Sequence, residues 1–95
     1  FAFAHKGLAH PRAYAPSPWT PPSFVAMLTG KDPGTIGTSV YNFSMDEAVN
    51  THNIPNEVYT LAEELKDNGY LNQAIITNKN LLDRRGYQQG FAGFI

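Results

Sequence analysis

The sequence predicts an α/β fold, and three segments carry that expectation. Val58, Leu61, Ala62 and Leu65 recur at the three- and four-residue spacing of a helix with one apolar side. Ala74-Ile75-Ile76 follows as a short β-rich apolar run of the kind found in buried parallel strands. The Gly- and aromatic-rich stretch from Tyr87 to Ile95 then leads toward another extended segment. Alternation of strands and helices along the chain, strand, helix, strand, favours layered α/β packing.

Residues 1–19 hold few helix signals and three prolines, at 11, 16 and 18, so they read as an approach segment with a short strand at Arg12–Ala15. Pro21 biases Thr20 away from helical dihedrals, and Pro22 does the same to Pro21. A compact helix over 22–29 is expected, opened by Pro22 or Ser23 and closed by Gly30 as a left-handed C-cap. Its apolar positions Phe24, Val25, Met27 and Leu28 leave little polar face, which predicts a buried helix.

Residues 31–53, rich in Gly, Asn, Thr and Ser, read as a long loop. Ser44 and Glu47 have capping-box spacing and could support one helical turn at its centre. The clearest helix is expected from Pro55 or Asn56 to Asn68, with Glu57 at its positive end and Gly69 closing it. Glu63, Glu64, Lys66 and Asp67 fall on its wet face. Asn80 to Gly86 reads as a further helical turn.

Composition narrows the function classes. The 95 residues suit one domain over 1–95, with no second domain, no internal repeat and no low-complexity block. The net charge is −1 with both signs interspersed. No basic stripe therefore argues for nucleic acid and no polybasic tail for lipid. The absence of Cys excludes disulfides and thiolate metal sites but leaves the compartment unidentified. Phe1-Ala2-Phe3-Ala4 is too short an apolar run for a membrane span or a signal-peptide core. Both apolar ends, this one and Gly93-Phe94-Ile95, read as cuts through a larger fold.

Thr20 is the first candidate for chemistry. A hydroxyl where an extended segment turns into a helix sits beside the helix's positive end, a setting that suits an anionic ester. Capping alone would also explain a threonine there. Ser23 could support that hydroxyl or cap the helix. Trp19 reads as packing or a pocket wall. Asn78 and Lys79 lie just past a strand's carboxyl end, where open α/β sheets build ligand sites, although solvated loop residues explain them as well. His5, His10 and His52 lack the spacing and accompanying carboxylates of a metal site. Arg84 and Arg85 read as surface charge.

Several of these residues fall into a family pattern. Thr20-Pro21-Pro22-Ser23-Phe24, followed by Val25-Ala26-Met27-Leu28-Thr29-Gly30, resembles the C-x-P-S-R or S-x-P-S-R motif and Leu-Thr-Gly of the sulfatase family, in the alkaline phosphatase superfamily. Pro33 and Gly37 are similar to that family's next marker. Tyr59 to Tyr70 resembles its "tLaeeLk-x-x-GY" helix, and Ala74 to Asn78 with Gly90-Phe91 resembles its next strand and later "GF". The markers run in family order from about residue 14 to residue 94.

The resemblance implies an alkaline-phosphatase-like sandwich with a mostly parallel central sheet flanked by helices. The family's catalytic domain is several times longer, so the chain would be a partial catalytic domain truncated at both ends. It implies a metal-dependent sulfuric ester hydrolase acting on a small-molecule or glycan sulfate ester. Thr20 would be its nucleophile and a metal contact, and Asn78 and Lys79 its substrate-binding residues. The cofactor would be a divalent ion, calcium in sulfatases and zinc or manganese in phosphatase-like members, with most ligands outside this chain.

Two departures bear on the chemistry. Thr20 cannot be oxidised to formylglycine, and Phe24 stands where Arg is usual. Thr77-Asn78-Lys79-Asn80 replaces the common Gly-Lys-Trp-His, which puts the sulfate-contacting role of Lys79 in doubt. Thr is the nucleophile of several phosphodiesterases and phosphotransferases of the superfamily, so a phosphate ester is the alternative substrate. A catalytically inactive glycan-binding relative is a third reading, and an autonomous structural domain a fourth.

Overall fold

The computed structural model describes residues 2–36, 53–81 and 85–95. Two helices, α1 (Thr20–Thr29) and α2 (Leu61–Asp67), accompany a two-stranded parallel sheet of β1 (Gln73–Ala74) and β2 (Gly93–Phe94). Short 3-10 turns lie at Ala4–Lys6 and Pro33–Ile36. The fold is therefore mixed α/β. Among the described residues no helix is long and apolar enough to cross a membrane.

α1 starts earlier than the sequence predicts. Trp19 is its extended N-cap residue, and Thr20, Pro21 and Pro22 fill the first turn. Prolines are tolerated there because first-turn N–H groups have no helical partner to lose. Gly30 closes the helix in the left-handed conformation at φ 67°, its N–H on the Ala26 carbonyl, as expected. The helix is not buried all round, however. Val25 is fully buried while Met27 is 65% exposed, because α1 packs on one side only. No strand forms at Arg12–Ala15. Residues 2–16 are exposed throughout, and prolines flank that stretch.

α2 begins five or six residues later than expected because its sequence contains a stronger start signal than Pro55. The Glu63 N–H donates to the Thr60 hydroxyl at 3.2 Å, and the Thr60 N–H donates to Glu63 Oε2 at 2.8 Å. This is a capping box. Upstream, the Val58 N–H donates to the Pro55 carbonyl in a separate turn. Of the four apolar positions at helical spacing, Ala62 is buried, Val58 packs on the core, and Leu61 is 54% exposed. At the other end, Tyr70 N–H donates to the Leu65 carbonyl and Gly69 N–H to the Lys66 carbonyl, both at 3.0 Å. With Gly69 at φ 89°, that pair of bonds makes a Schellman cap.

Gln73 lies opposite Gly93 and Ala74 opposite Phe94. The ladder runs on, with the Ala92 N–H on the Asn72 carbonyl at 2.8 Å and the Ile95 N–H on the Ala74 carbonyl at 3.0 Å. The expected burial of Ala74-Ile75-Ile76 is not reached, and alternate residues are covered in part. Ala74 and Ile76 are half-buried, and Ile75 is 83% exposed. Successive strand residues point to opposite faces, and one face of this small sheet is uncovered.

Val25, Ile54, Leu81 and Tyr87 form the core, with Phe24, Leu28, Ile36, Val58, Ile76 and Phe94 packed against it. Gly90 seats the last segment against α2. At φ 82° and with a Cβ position only 2.3 Å from the Glu63 nitrogen, no side chain fits there. Asn72 Nδ2 stitches the same junction by donating to the carbonyls of Ala62 and Gly90. Gly37, His52, Arg84, the Ser44–Glu47 turn and the middle of the expected 80–86 turn lie outside the described residues.

Candidate functional site

The parallel pair aims its carboxyl ends toward one cavity. The chain leaving β1, Ile76 to Lys79, and the end of β2, Phe94 and Ile95, line about 350 Å³ together with Leu81. Ile76, Leu81 and Phe94 make its wall apolar, and Thr77, Asn78 and Lys79 give it a polar, cationic side. That position, beyond the carboxyl ends of parallel strands, is the one open α/β sheets use for ligands.

Asn78 is held by its own turn. Its Oδ1 accepts the Asn80 N–H at 2.9 Å, and its carbonyl accepts the Leu81 N–H at 3.0 Å. An Asn side chain bonded two residues ahead is an Asx-turn. Because a backbone N–H can only donate, this bond settles which end of the amide is oxygen. The other end, Nδ2, donates to Thr20 Oγ1 at 3.4 Å. Two residues that the sequence nominated separately, 58 positions apart, thus meet.

Thr20 is half-buried at the start of α1. Since Trp19 holds the N-cap position, the Thr20 hydroxyl is not engaged as an N-cap. The positive helix end expected beside this hydroxyl proves poor in donors. Pro21 and Pro22 carry no N–H, so two of the four donors usual at a helix start are missing. Ser23 neither supports the hydroxyl nor caps the helix. Its Oγ donates to the Ser17 carbonyl at 2.8 Å, which folds the approach segment back on α1.

Lys79 lines the same cavity and is exposed. Asn80 is the contributor that sequence reasoning missed, since its N–H orients Asn78. The signal that could have found it is Asn78 itself, an Asx-turn former with a non-proline residue two positions on.

For a divalent cation, Thr20 Oγ1 offers one neutral oxygen, and the Asn78 oxygen is already engaged by Asn80. Among the described residues no group of three or more His, Cys, Asp or Glu could hold an ion. His5 and His10 lie on the exposed approach segment. These residues do not by themselves make a hard-cation site, which needs several oxygens including carboxylates.

No protein-family model matches this chain, and no curated protein or solved structure matches it either.

Proposed function

We propose that the chain is part of a sulfatase-like, metal-dependent hydrolase of the alkaline phosphatase superfamily, with Thr20 as its nucleophile. The contact between Asn78 Nδ2 and Thr20 Oγ1 carries this reading. It joins the hydroxyl of the first motif to Asn78, which itself lines the cavity with the cationic side. The ordered motifs from Thr20 to Phe91 support the reading independently. The sandwich fold, with further parallel strands beside β1 and β2, belongs to the same proposal.

In this mechanism an unmodified hydroxyl attacks. Thr20 Oγ1 forms a bond to the sulfur of the ester while the bond from sulfur to the leaving oxygen breaks. The proton that Thr20 gives up ends on that leaving oxygen as an alcohol. Water then cleaves the threonine sulfate, restoring the hydroxyl and releasing hydrogen sulfate. Asn78 donates to the nucleophile oxygen and so favours its developing negative charge. Lys79 supplies a positive charge to the ester's free oxygens. The divalent ion of this proposal, calcium or else zinc or manganese, would be held mainly by residues beyond those described, and its charge would offset that of the ester.

A second reading keeps the site and changes the central atom. An unmodified threonine cannot form the aldehyde hydrate of sulfatases, which favours a phosphate diester or a phosphoryl transfer. The full-length protein should be assayed with an aryl sulfate and an aryl phosphate diester in parallel, with peptide mass spectrometry to detect an adduct on Thr20. A Thr20 adduct formed from either substrate supports the nucleophile, and the faster substrate decides the chemistry. Turnover that survives Thr20→Ala overturns it. Binding of sulfated glycans without turnover would instead identify an inactive relative.

A further inference from the structure

We propose that Asn68-Gly69, at the end of α2, is a spontaneous deamidation site that the helix cap holds shut. The chemistry needs no enzyme. The Gly69 amide nitrogen loses its proton and bonds to Asn68 Cγ, the bond from Cγ to Nδ2 breaks, and ammonia leaves. Water then opens the resulting five-membered imide at one of its two carbonyls, giving aspartate or isoaspartate. Glycine favours the step because it puts no side chain beside the attacking nitrogen. Asn68 and Gly69 are both exposed, so water reaches them.

Every part of the folded cap opposes that attack. The Gly69 N–H is committed to the Lys66 carbonyl at 3.0 Å, which holds the proton that must leave. Asn68 has ψ 14°, which turns the Gly69 nitrogen well away from the Asn68 side chain, whereas ring closure needs the two alongside. Asn68 Nδ2 is tied as well, donating to the Glu64 carbonyl at 2.8 Å and to Glu64 Oε1 at 3.1 Å. Deamidation therefore requires the last turn of α2 to open.

Once formed, the product resists reclosure. The side chain of an aspartate at position 68 has no N–H to offer either Glu64 oxygen, and only the backbone N–H still reaches the Glu64 carbonyl. It adds a negative charge beside Glu64 and Asp67, at the helix end whose dipole is already negative. Conversion is thus a one-way loosening of α2, set by how often its cap frays.

The test holds the full-length protein at mildly alkaline pH, folded in one arm and in denaturant in the other. Trypsin cuts after Lys66 and Lys79 and releases Asp67–Lys79, in which Asn72 and Asn78 serve as internal controls with bulky following residues. Conversion at Asn68 is expected to be at least about tenfold slower in the folded arm, which corresponds to an opening free energy above ~1.4 kcal/mol. Equal rates in the two arms, or no conversion in denaturant, would overturn the proposal. Asn68→Asp installs the product directly at an exposed position. It should speed hydrogen exchange at Gly69 and Tyr70 by about tenfold, the same ~1.4 kcal/mol. Unchanged exchange there would overturn the one-way step.

Discussion

Asn78 donates its side-chain amide to the Thr20 hydroxyl at 3.4 Å, joining the start of α1 to the turn beyond β1. The donor is aimed by the Asn80 N–H, which holds the opposite end of the same amide. The oxygen proposed as nucleophile is therefore held by one oriented partner, and its own proton is not used in that bond.

On the proposed mechanism, turnover by the full-length protein should vanish in Thr20→Ala. In Asn78→Ala it should fall by about a hundredfold to a thousandfold in kcat, the scale seen when one well-placed donor is lost. Steady-state kinetics on the better of the sulfate and phosphate substrates checks this. An unchanged kcat with a raised KM would move Asn78 from the nucleophile to ground-state binding.

Gly90→Ala should be strongly destabilising. The new methyl would lie 2.3 Å from the Glu63 nitrogen, on a backbone at φ 82° that alanine rarely adopts. A loss of at least ~2 kcal/mol is expected, read as a lower denaturant midpoint.

Thr60→Ala should cost about 1 kcal/mol, the usual loss for an N-cap threonine. It removes the acceptor of the Glu63 N–H, and hydrogen exchange at that amide should quicken. If exchange quickens equally across the whole chain, the cap is not a local element.

Val25→Ala and Met27→Ala separate the two sides of α1. Val25 is fully buried in the core, and its truncation should cost about 2 kcal/mol. Met27 is 65% exposed and should stay within ~0.5 kcal/mol. Thermal unfolding of the two variants side by side tests the contrast.

Alkaline pH should weaken the fold through Tyr87. Burial pushes its phenol above the ordinary range, and Arg85 pulls only partly the other way. The unfolded chain releases this proton near pH ~10, while the folded chain keeps it. The contribution is complete below that pH and is lost as pH rises through the folded value. Tyr87→Phe should flatten the alkaline loss of stability, and a pH series of unfolding midpoints for both proteins would show it.

Local signals were legible where the chain's own chemistry is sufficient. Gly30 and Gly69 announced helix ends because a left-handed residue favours glycine wherever it occurs. The start of α2 was misread although Thr60 and Glu63 carry capping-box spacing, because Pro55 offered a competing start nearby. Met27, Leu61 and Ile75 looked buried by type, yet which apolar residues are covered depends on partners that periodicity does not specify.

The sequence by itself determined the mixed α/β class, the two helices, the extended segments near residues 74 and 93, and Thr20, Asn78 and Lys79 as candidates. Those properties follow from dihedral preferences and hydrophobic spacing over a few neighbours. Only the tertiary structure decided that Asn78 reaches Thr20, that Gly90 seats against Ala62 and Glu63, and that Asn80 sets the amide's direction. Such contacts join residues far apart in the chain, and packing of the shared core around Val25, Ile54, Leu81 and Tyr87 brings them within reach.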